Sequence, residues 1–303
     1  MKLKRVQTIN RRLLITNAAI VPVLIISFAV SAQTFYKIPK QSIYPYKILG
    51  TPSLTAGYQL KKETQETFNN FKMELPAFEL SAQITFKEYK KYLNSVKTDS
   101  SEKFYLSQFP DSSILPSEDY KKYITNPDYE KYPVAGISWN NALNYCRWKT
   151  ISESKNDSIS CIYRLPVYSE WLCAYDFLNK SKIKNDLSKN YSDWTLSAYE
   201  EAAYDFTSDS VRYFSYDFVF ADILDNRQRV MIRKRFIGDS YFFQKENLID
   251  GYGYGYADTG YKYAAFRMVK ARLDKKISIG IYRKEYRCGI NILRKRVNQF
   301  LNK

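Results

Sequence analysis

The chain has 303 residues, of which 45% are hydrophobic and 17% aromatic, so it can bury a core in one large domain or two small ones and is not a disordered tail. It contains no histidine, which excludes Ser-His-Asp and Cys-His catalysis and the usual zinc and non-haem iron sites. The formal charge of +16 lies mainly at the two ends, with +5 in residues 1–32 and +8 in residues 271–303, and the nearly neutral centre disfavours nucleic-acid binding.

Residues 1–32 have the composition of an export signal, because Lys and Arg residues precede an uncharged apolar stretch at 13–32. The small residues up to Ala32 suit cleavage before Gln33, but the apolar stretch is also long enough to remain as a single membrane anchor. No cysteine lies at this point, which disfavours a lipid-anchored lipoprotein. Either outcome predicts that the rest of the chain is exported and is periplasmic or membrane-associated.

The first helix is predicted at Thr85, after an extended lead-in over residues 33–64. Thr85 and Glu88 have the spacing of a capping box, in which each residue satisfies a backbone N–H of the other. Apolar residues then recur on one face of the predicted helix. These residues are Phe86, Tyr89 and Leu93.

Two further helices are predicted downstream. The polar, proline-punctuated segment 98–132 is typical of a long surface excursion. A second helix is predicted from Ser138 and a third from about Ser169 to Phe177, and no internal repeat at a fixed period is present. The apolar positions of the second helix are Trp139, Ala142, Leu143 and Cys146.

Two segments match a long consensus pattern in order. Residues 128–148 read DYEKYPVAGISWNNALNYCRW, and residues 163–175 read YRLPVYSEWLCAY. They resemble the formylglycine-generating enzyme family, the sulfatase-modifying-factor domain, whose members show Pro-Val-x-x-Val-Ser-Trp-x-x-Ala-x-x-Tyr-Cys-x-Trp and then Tyr-Arg-Leu-Pro-Thr-x-x-Glu-Trp. The matching positions are Pro133, Val134, Ser138, Trp139, Ala142, Tyr145, Cys146, Trp148, Tyr163, Arg164, Leu165, Pro166, Glu170 and Trp171.

The resemblance extends in both directions and covers residues 65–270. Segments that begin at Phe78, Asn190 and Phe236 are similar to the early Glu-Val-Thr-x-x-x-Tyr-x-x-Phe, to Asn-Val-Trp-Glu-Trp-Thr and to Arg-Gly-Gly-Ser-Trp of the family. The resemblance implies one α+β domain, the formylglycine-generating-enzyme fold, with a C-type-lectin-like core and much irregular structure. It also places Phe266 and Arg267 in the closing strand.

Departures from the family pattern predict that both known chemistries of the family are lost. Catalytic members bind copper(I) through two cysteines, because copper(I) prefers thiolates, and those positions are Phe243 and Leu248 here. The related iron-binding branch uses histidines, which this chain lacks. Two family arginines are replaced by Gly253 and Gly255, so the run GYGYGY is interpreted as the remains of an active-site wall.

The resemblance also indicates smaller features. Asn190 and Asp193 fall near a calcium site of the family and are interpreted either as calcium ligands or as part of a structural turn. Val167 replaces a threonine helix cap, which is expected to cost about 1 kcal/mol. Arg164 and Glu170 are expected to form a structural pair. No cofactor other than calcium is expected.

Four cysteines in an exported chain allow three disulfide pairings. A bond between Cys146 and Cys161 and a set of buried free thiols both remain open. The other two cysteines are Cys173 and Cys288.

Residues 271–303 lie beyond the resemblance and are predicted to form a basic, helical tail. From Ile290 the apolar spacing suits a helix, and Arg294, Lys295 and Arg296 flank its apolar face. The helix either packs as a solvated element on its own domain or docks on a partner protein or membrane. An anionic lipid, glycan or protein surface suits its charge.

These features together predict a non-catalytic structural or interaction subunit of a cell-envelope assembly. Among family members of this kind, the chain most resembles the gliding-motility and type IX secretion proteins of the Bacteroidota, which implies other envelope proteins as partners. One alternative is an enzyme in the same cleft, such as a sulfatase maturase. Another is a glycan-binding module that uses the lectin-like surface.

Overall fold

The computed structural model describes residues 33–44, 72–189, 191–198, 233–238, 254–281 and 283. The chain divides into two units, Met1–Ala32 and Gln33–Lys303, and every described residue lies in the second. The predicted export signal, most of the lead-in and the predicted helix from Ile290 therefore lie outside the described residues. So do Asn190, Phe243, Leu248, Gly253, Cys288, Arg294, Lys295 and Arg296.

Helix α1 (Phe86–Asp99) begins at the predicted capping box. The Thr85 hydroxyl accepts a hydrogen bond from the Glu88 amide at 3.3 Å, and the Glu88 carboxylate accepts one from the Thr85 amide at 3.0 Å. Both amides lack a partner inside the helix, so the box stabilises its first turn. The helix buries Phe86, Tyr89, Tyr92, Leu93 and Val96.

The segment after α1 lies mostly at the surface, as predicted, but much of it is helical. It contains α2 (Glu102–Ser107), α3 (Ser117–Thr125) and two 3-10 turns, Ser112–Ile114 and Pro127–Lys131. Polar side chains before three of these elements accept hydrogen bonds from backbone amides of the first turn, which explains why the segment is not irregular. The capping residues are Ser101, Asp111 and Asn126.

The two remaining helices occur where the sequence predicts them. Helix α4 (Trp139–Ser152) starts after Ser138, whose hydroxyl accepts a hydrogen bond from the Asn141 amide at 3.2 Å. Helix α5 (Tyr168–Lys180) starts one residue before the predicted span and ends three residues after it. The predicted apolar positions of α4 are all buried.

The described strands form three sheets. The strands are β1 (Phe35–Ile38), β2 (Gln41–Ile43), β3 (Met73–Leu75), β4 (Phe78–Ser81), β5 (Ser158–Arg164), β6 (Ser192–Ala198), β7 (Arg233–Ile237), β8 (Tyr254–Tyr256), β9 (Ala264–Ala265) and β10 (Val269–Ser278). The first sheet is antiparallel, with order β1-β4-β10-β5, and the second has order β8-β7-β6-β9, with a parallel pairing only between β6 and β9. Strands β2 and β3 form a two-stranded antiparallel sheet.

Strand β10 crosses the predicted domain boundary at residue 270. Arg272 pairs with Cys161 and Ser278 pairs with Ser158, so the first eight residues of the predicted helical tail belong to the first sheet. Ala271 is buried and the adjacent Arg272 is exposed. This alternation is typical of a half-buried strand and not of a helix. The predicted closing strand at Phe266 and Arg267 is displaced, because those residues lie between β9 and β10.

The mixed arrangement of helices and sheets confirms the predicted α+β class. One apolar cluster includes Tyr89 of α1, Tyr145 of α4 and Phe266. A second contains Trp171 of α5 and Val269 of β10. Within the described ranges, no helix combines the length and the apolarity needed to cross a bilayer.

Candidate functional site

Arg164, at the end of β5, and Glu170, in the first turn of α5, form the predicted structural pair. Arg164 Nη1 lies 2.7 Å from Glu170 Oε2, and Nη2 lies 2.6 Å from Oε1. The two side chains are only 1% and 2% exposed. A two-point, buried contact of this kind fixes the end of β5 against the start of α5.

The start of α5 is capped by Glu170 of its own first turn and by Ser197 of β6. Val167 has no side-chain acceptor, as predicted, but its amide donates to Glu170 Oε2 at 2.9 Å. The next amide, of Tyr168, donates to Ser197 Oγ of β6 at 3.1 Å. Two helix-terminal amides are therefore satisfied without the threonine of the family pattern.

A cleft of about 970 Å³ opens beside the Arg164–Glu170 pair. Its lining combines apolar residues such as Phe78 with the basic residues Lys37 and Lys40. Both carboxylate oxygens of Glu170 already accept hydrogen bonds from Arg164. The pair therefore forms part of the cleft wall as a neutral ion pair, and neither oxygen of Glu170 is left unpaired to act as an acid or a base.

Arg267 forms the centre of a second buried polar group. Its Nε donates to Asp193 Oδ2 at 2.7 Å, and its Nη1 donates to Asp186 Oδ1 at 3.0 Å and to the Ser81 carbonyl at 3.1 Å. Arg267 and Asp193 are fully buried. We refer to Arg267, Asp193 and Asp186 as the arginine centre, because it joins β4, β6 and the loop after α5.

Additional donors surround the two carboxylates of the arginine centre. Asp193 accepts hydrogen bonds from Trp171 Nε1 at 2.8 Å and from Gln83 Nε2 at 2.9 Å. Asp186 accepts from the Gln83 amide at 2.8 Å and from the Tyr36 hydroxyl at 3.1 Å. Since charged groups lose their hydration on burial, these donors offset the cost of placing a fully buried acid, Asp193, and a partly buried acid, Asp186, beside Arg267.

Asp193 is a weak candidate for a calcium ligand in this arrangement. It already accepts three hydrogen bonds, and one of them comes from a guanidinium that would repel a divalent cation. The described residues contain no cluster of acidic or sulfur side chains suited to a metal ion. Asn190 lies outside the described residues, so calcium binding stays a prediction for that part of the chain.

Burial and pairing shift the ionisation of the arginine centre. Burial raises the pKa of Asp193, while the charge of Arg267 limits the rise. Burial also acts to raise the pKa of Asp186, but Arg267 and the Gln83 amide more than offset it, so that pKa is lowered. The pKa of Arg267 is raised because its two carboxylates outweigh the effect of burial. Arg267 is therefore a cation that its two neighbouring acids stabilise.

Gly255, in β8, lies beneath two aromatic rings. A Cβ at this position would lie 2.5 Å from Trp194 Cη2 and 2.5 Å from Tyr261 Cε2. Both rings are tethered, since Trp194 Nε1 donates to the Ile137 carbonyl at 2.8 Å and the Tyr256 amide donates to the Tyr261 hydroxyl at 3.0 Å. The rings occupy the space that a side chain would need, so glycine is required here for packing.

Three cysteines are free thiols in the structure, which leaves the Cys146–Cys161 pairing unformed. Cys146 and Cys173 are buried, whereas Cys161 is partly exposed on β5. Burial raises the pKa of the Cys146 thiol far above its ordinary value and that of Cys173 to about 12. Neutral, buried thiols are poor nucleophiles and poor metal ligands.

A second cleft, of about 600 Å³, lies at the start of α4. We call it the amide cleft, because the amide side chains of Gln108, Asn140, Asn141 and Asn144 line it. Its other walls are the end of α2, the loop to Ser112 and the turn at Asp258. No pattern in the sequence predicts this cleft.

Hydrogen bonds hold the walls of the amide cleft in place. Gln108 Oε1 accepts from Tyr92 at 2.8 Å and from Asn144 Nδ2 at 3.1 Å. Asn141 Nδ2 donates to the Ser107 carbonyl at 2.8 Å, and Asn140 is attached through its backbone amide to the Ala257 carbonyl at 2.9 Å. The amide oxygens of Asn141 and Asn144 accept no hydrogen bond from the described residues.

Residues 50–182 match the model of the FGE-sulfatase family, the sulfatase-modifying factor enzyme 1-like domain. The matched region contains α1 to α5 and ends before β6. The later segments that contain Asp193, Gly255 and Arg267 are therefore related to the family by the sequence resemblance alone. A search of curated proteins finds no match.

The chain is also similar to several solved structures. CarF is 13% identical, with a TM-score of 0.44, and the match covers 80% of this chain and 99% of that one. PvdO from Pseudomonas aeruginosa is 13% identical, with a TM-score of 0.45 and coverage of 78% and 94%. Treponema denticola variable protein 1 is 11% identical, with a TM-score of 0.37 and coverage of 80% and 99%. At these TM-scores the similarity carries no argument about function.

Proposed function

We propose that this chain, which carries a sulfatase-modifying factor enzyme 1-like domain at residues 50–182, is a non-catalytic structural and interaction subunit of a cell-envelope assembly. By resemblance, the assembly belongs with the gliding-motility and type IX secretion machineries. The partners are other envelope proteins.

The observation that carries this proposal is the internal pairing of the polar residues in the family pattern. Arg164 and Glu170 bind each other at 2.6 and 2.7 Å, and Asp193 binds Arg267 at 2.7 Å. A catalytic acid or base must be within reach of the proton that it transfers. These groups reach one another instead, which favours a role in holding three elements of the domain together.

The sequence supports the loss of copper chemistry independently. The positions of the two copper-binding thiols are Phe243 and Leu248, which have no ligand atoms. Both positions lie outside the described residues, so this support comes from the sequence alone. A domain that has the residues of the family fold but lacks the copper-binding thiols suits a structural or binding role.

The envelope location is supported by the two ends of the chain. Residues 1–32 have the composition of an export signal or anchor, and residues 284–303 supply a basic segment beyond the folded strands. An exported, membrane-associated chain with a basic end has the features needed to assemble with anionic envelope partners.

The proposal is tested by affinity isolation of the tagged full-length chain from crosslinked native membranes. We expect a defined set of envelope proteins to be recovered with it. The matched variant R294Q/K295Q/R296Q removes three charges from the tail and tests whether that segment contributes to recovery. Isolation of a soluble, monomeric chain without partners would contradict an assembly role.

A further inference from the structure

The amide cleft is acidic, although it lies in the nearly neutral centre of the chain. The chain contains 47 Lys and Arg residues, yet none of them is among the described residues that line this cleft. Its charged side chains are Asp111 and Asp258. Burial acts to raise the pKa of Asp111, but hydrogen bonds from Ser113 and Gly260 more than offset it, so the pKa is lowered. An anionic ligand would therefore be repelled.

The polar groups of the cleft can both donate and accept hydrogen bonds. The side chain of Asn140 bonds to none of the described residues, and it is exposed at the first turn of α4. The amide oxygens of Asn141 and Asn144 are available as acceptors, whereas their nitrogens already hold the wall in place. A hydroxyl group is also both donor and acceptor, so a polyhydroxylated ligand matches this set.

The rim of the cleft provides apolar surface beside these amides. Phe104 is 40% exposed and Leu106 is 59% exposed, and both line the cleft. A pyranose ring presents polar edges and an apolar C–H face, so it can place its hydroxyls against the amides and its face against Phe104. A volume of about 600 Å³ lies within the range of small-ligand sites.

We propose that the amide cleft binds a neutral saccharide, as a free sugar or as one or two units of a larger glycan. The site goes beyond the scaffold role and does not depend on it. Because Tyr92 and Asn144 fix Gln108 before any ligand arrives, little ordering of the walls is required on binding.

The test uses the purified full-length chain and a panel of neutral sugars, namely glucose, galactose, mannose, N-acetylglucosamine and their disaccharides, with glucuronic acid as the charged comparison. Saturation-transfer NMR identifies binders, and titration then gives the dissociation constant. We expect saturable binding of at least one sugar, weakened about three- to tenfold by Asn140→Ala and by Phe104→Ala. Asn94→Ala, on the exposed side of α1, is the matched control and should leave the dissociation constant unchanged.

Three results would overturn the proposal. One is the absence of saturable binding across the panel, and another is equal binding by the wild type and both cleft variants. The third is tighter binding of glucuronic acid than of glucose, because carboxylates line the cleft. Circular dichroism of each variant keeps loss of folding separate from loss of binding, and Asn140→Ala removes a side chain that has no partner among the described residues.

Discussion

Gly255 is held in place by two rings that leave no room for a side chain. The substitution Gly255→Ala would place a Cβ 2.5 Å from both Trp194 and Tyr261, so the rings or β8 must move. We expect the free energy of unfolding to fall by about 1–3 kcal/mol, measured by urea denaturation.

The matched control for this substitution is Gly280→Ala. The nearest atom to a Cβ there is Ser278 Oγ at 3.9 Å, an ordinary contact. We expect no loss of stability at this position. Equal stability of Gly255→Ala and the wild type would show that the rings do not restrict residue 255.

The three described thiols should differ sharply in reactivity. At pH 8, Cys161 should be alkylated by iodoacetamide in the folded chain, because it is partly exposed. Cys146 and Cys173 should be protected, since burial keeps them from the reagent and raises both thiol pKa values. Peptide mapping by mass spectrometry gives the extent of labelling at each site, and full labelling in urea is the control. Rapid labelling of Cys146 under native conditions would contradict its burial.

At the scale of elements, the Arg164–Glu170 pair joins β5 to α5 in a buried site. Removing one partner leaves the other charge buried and unpaired, so Arg164→Met should lower the free energy of unfolding by about 3–5 kcal/mol. The double variant R164M/E170L removes both charges and should recover much of this loss. Urea denaturation of Arg164→Met, Glu170→Leu and the double variant measures the coupling energy between the two side chains.

Lys180→Met provides the surface comparison for that cycle. Lys180 pairs with Asp176, but its side chain is 75% exposed. We expect a change below about 1 kcal/mol. For the buried pair, a loss of stability in R164M/E170L equal to the sum of the losses in Arg164→Met and Glu170→Leu would show that Arg164 and Glu170 act independently.

Helix starts could be predicted from the sequence because their caps are local. Thr85 and Glu88 are three residues apart, and Ser138 directly precedes its helix. The cap of α5 could not be predicted in this way. The Tyr168 amide donates to the hydroxyl of Ser197, which lies 29 residues away in the sequence. Strand β10 was missed for a related reason: its pairing partner, β5, lies more than 100 residues earlier in the chain.

At the scale of the whole molecule, stability should fall at the alkaline end of the pH range, whereas two buried acids oppose each other at the acid end. The pKa of Asp186 is lowered from its ordinary value of 3.8, so its stabilising contribution is present above that value and is lost as the pH falls through the folded pKa. The pKa of Asp193 is raised, so the ionisation of Asp193 lowers the stability as the pH rises and opposes the contribution of Asp186. Burial and Asp186 raise the pKa of Tyr36 to about 12, so its contribution is lost as the pH rises from 10 through 12.

Urea denaturation between pH 3 and pH 12 tests the alkaline part of this account. We expect the midpoint urea concentration to decrease between pH 10 and pH 12, and less steeply in Tyr36→Phe, which keeps the ring and removes the phenol. Identical alkaline slopes in the two proteins would show that Tyr36 does not contribute to this loss.

The two polar groups of the interior were predictable to different degrees. Arg164 and Glu170 lie six residues apart within one family segment, and the sequence predicted their pairing. The arginine centre was not predicted, because Asp186 belongs to no motif and approaches Arg267 only in the folded chain. The amide cleft has the same origin, since its walls come from three separate parts of the chain.

The claim that this domain is non-catalytic is tested most directly by an oxidation assay. The full-length chain is incubated with copper(I), oxygen and a Cys-containing sulfatase peptide, and a catalytic family member is run in parallel. Because the resemblance places Phe243 and Leu248 at the thiol positions, we predict that mass spectrometry finds the peptide cysteine unchanged in this chain's reaction and converted to formylglycine in the control. Formylglycine produced by this chain over repeated turnovers would contradict the account.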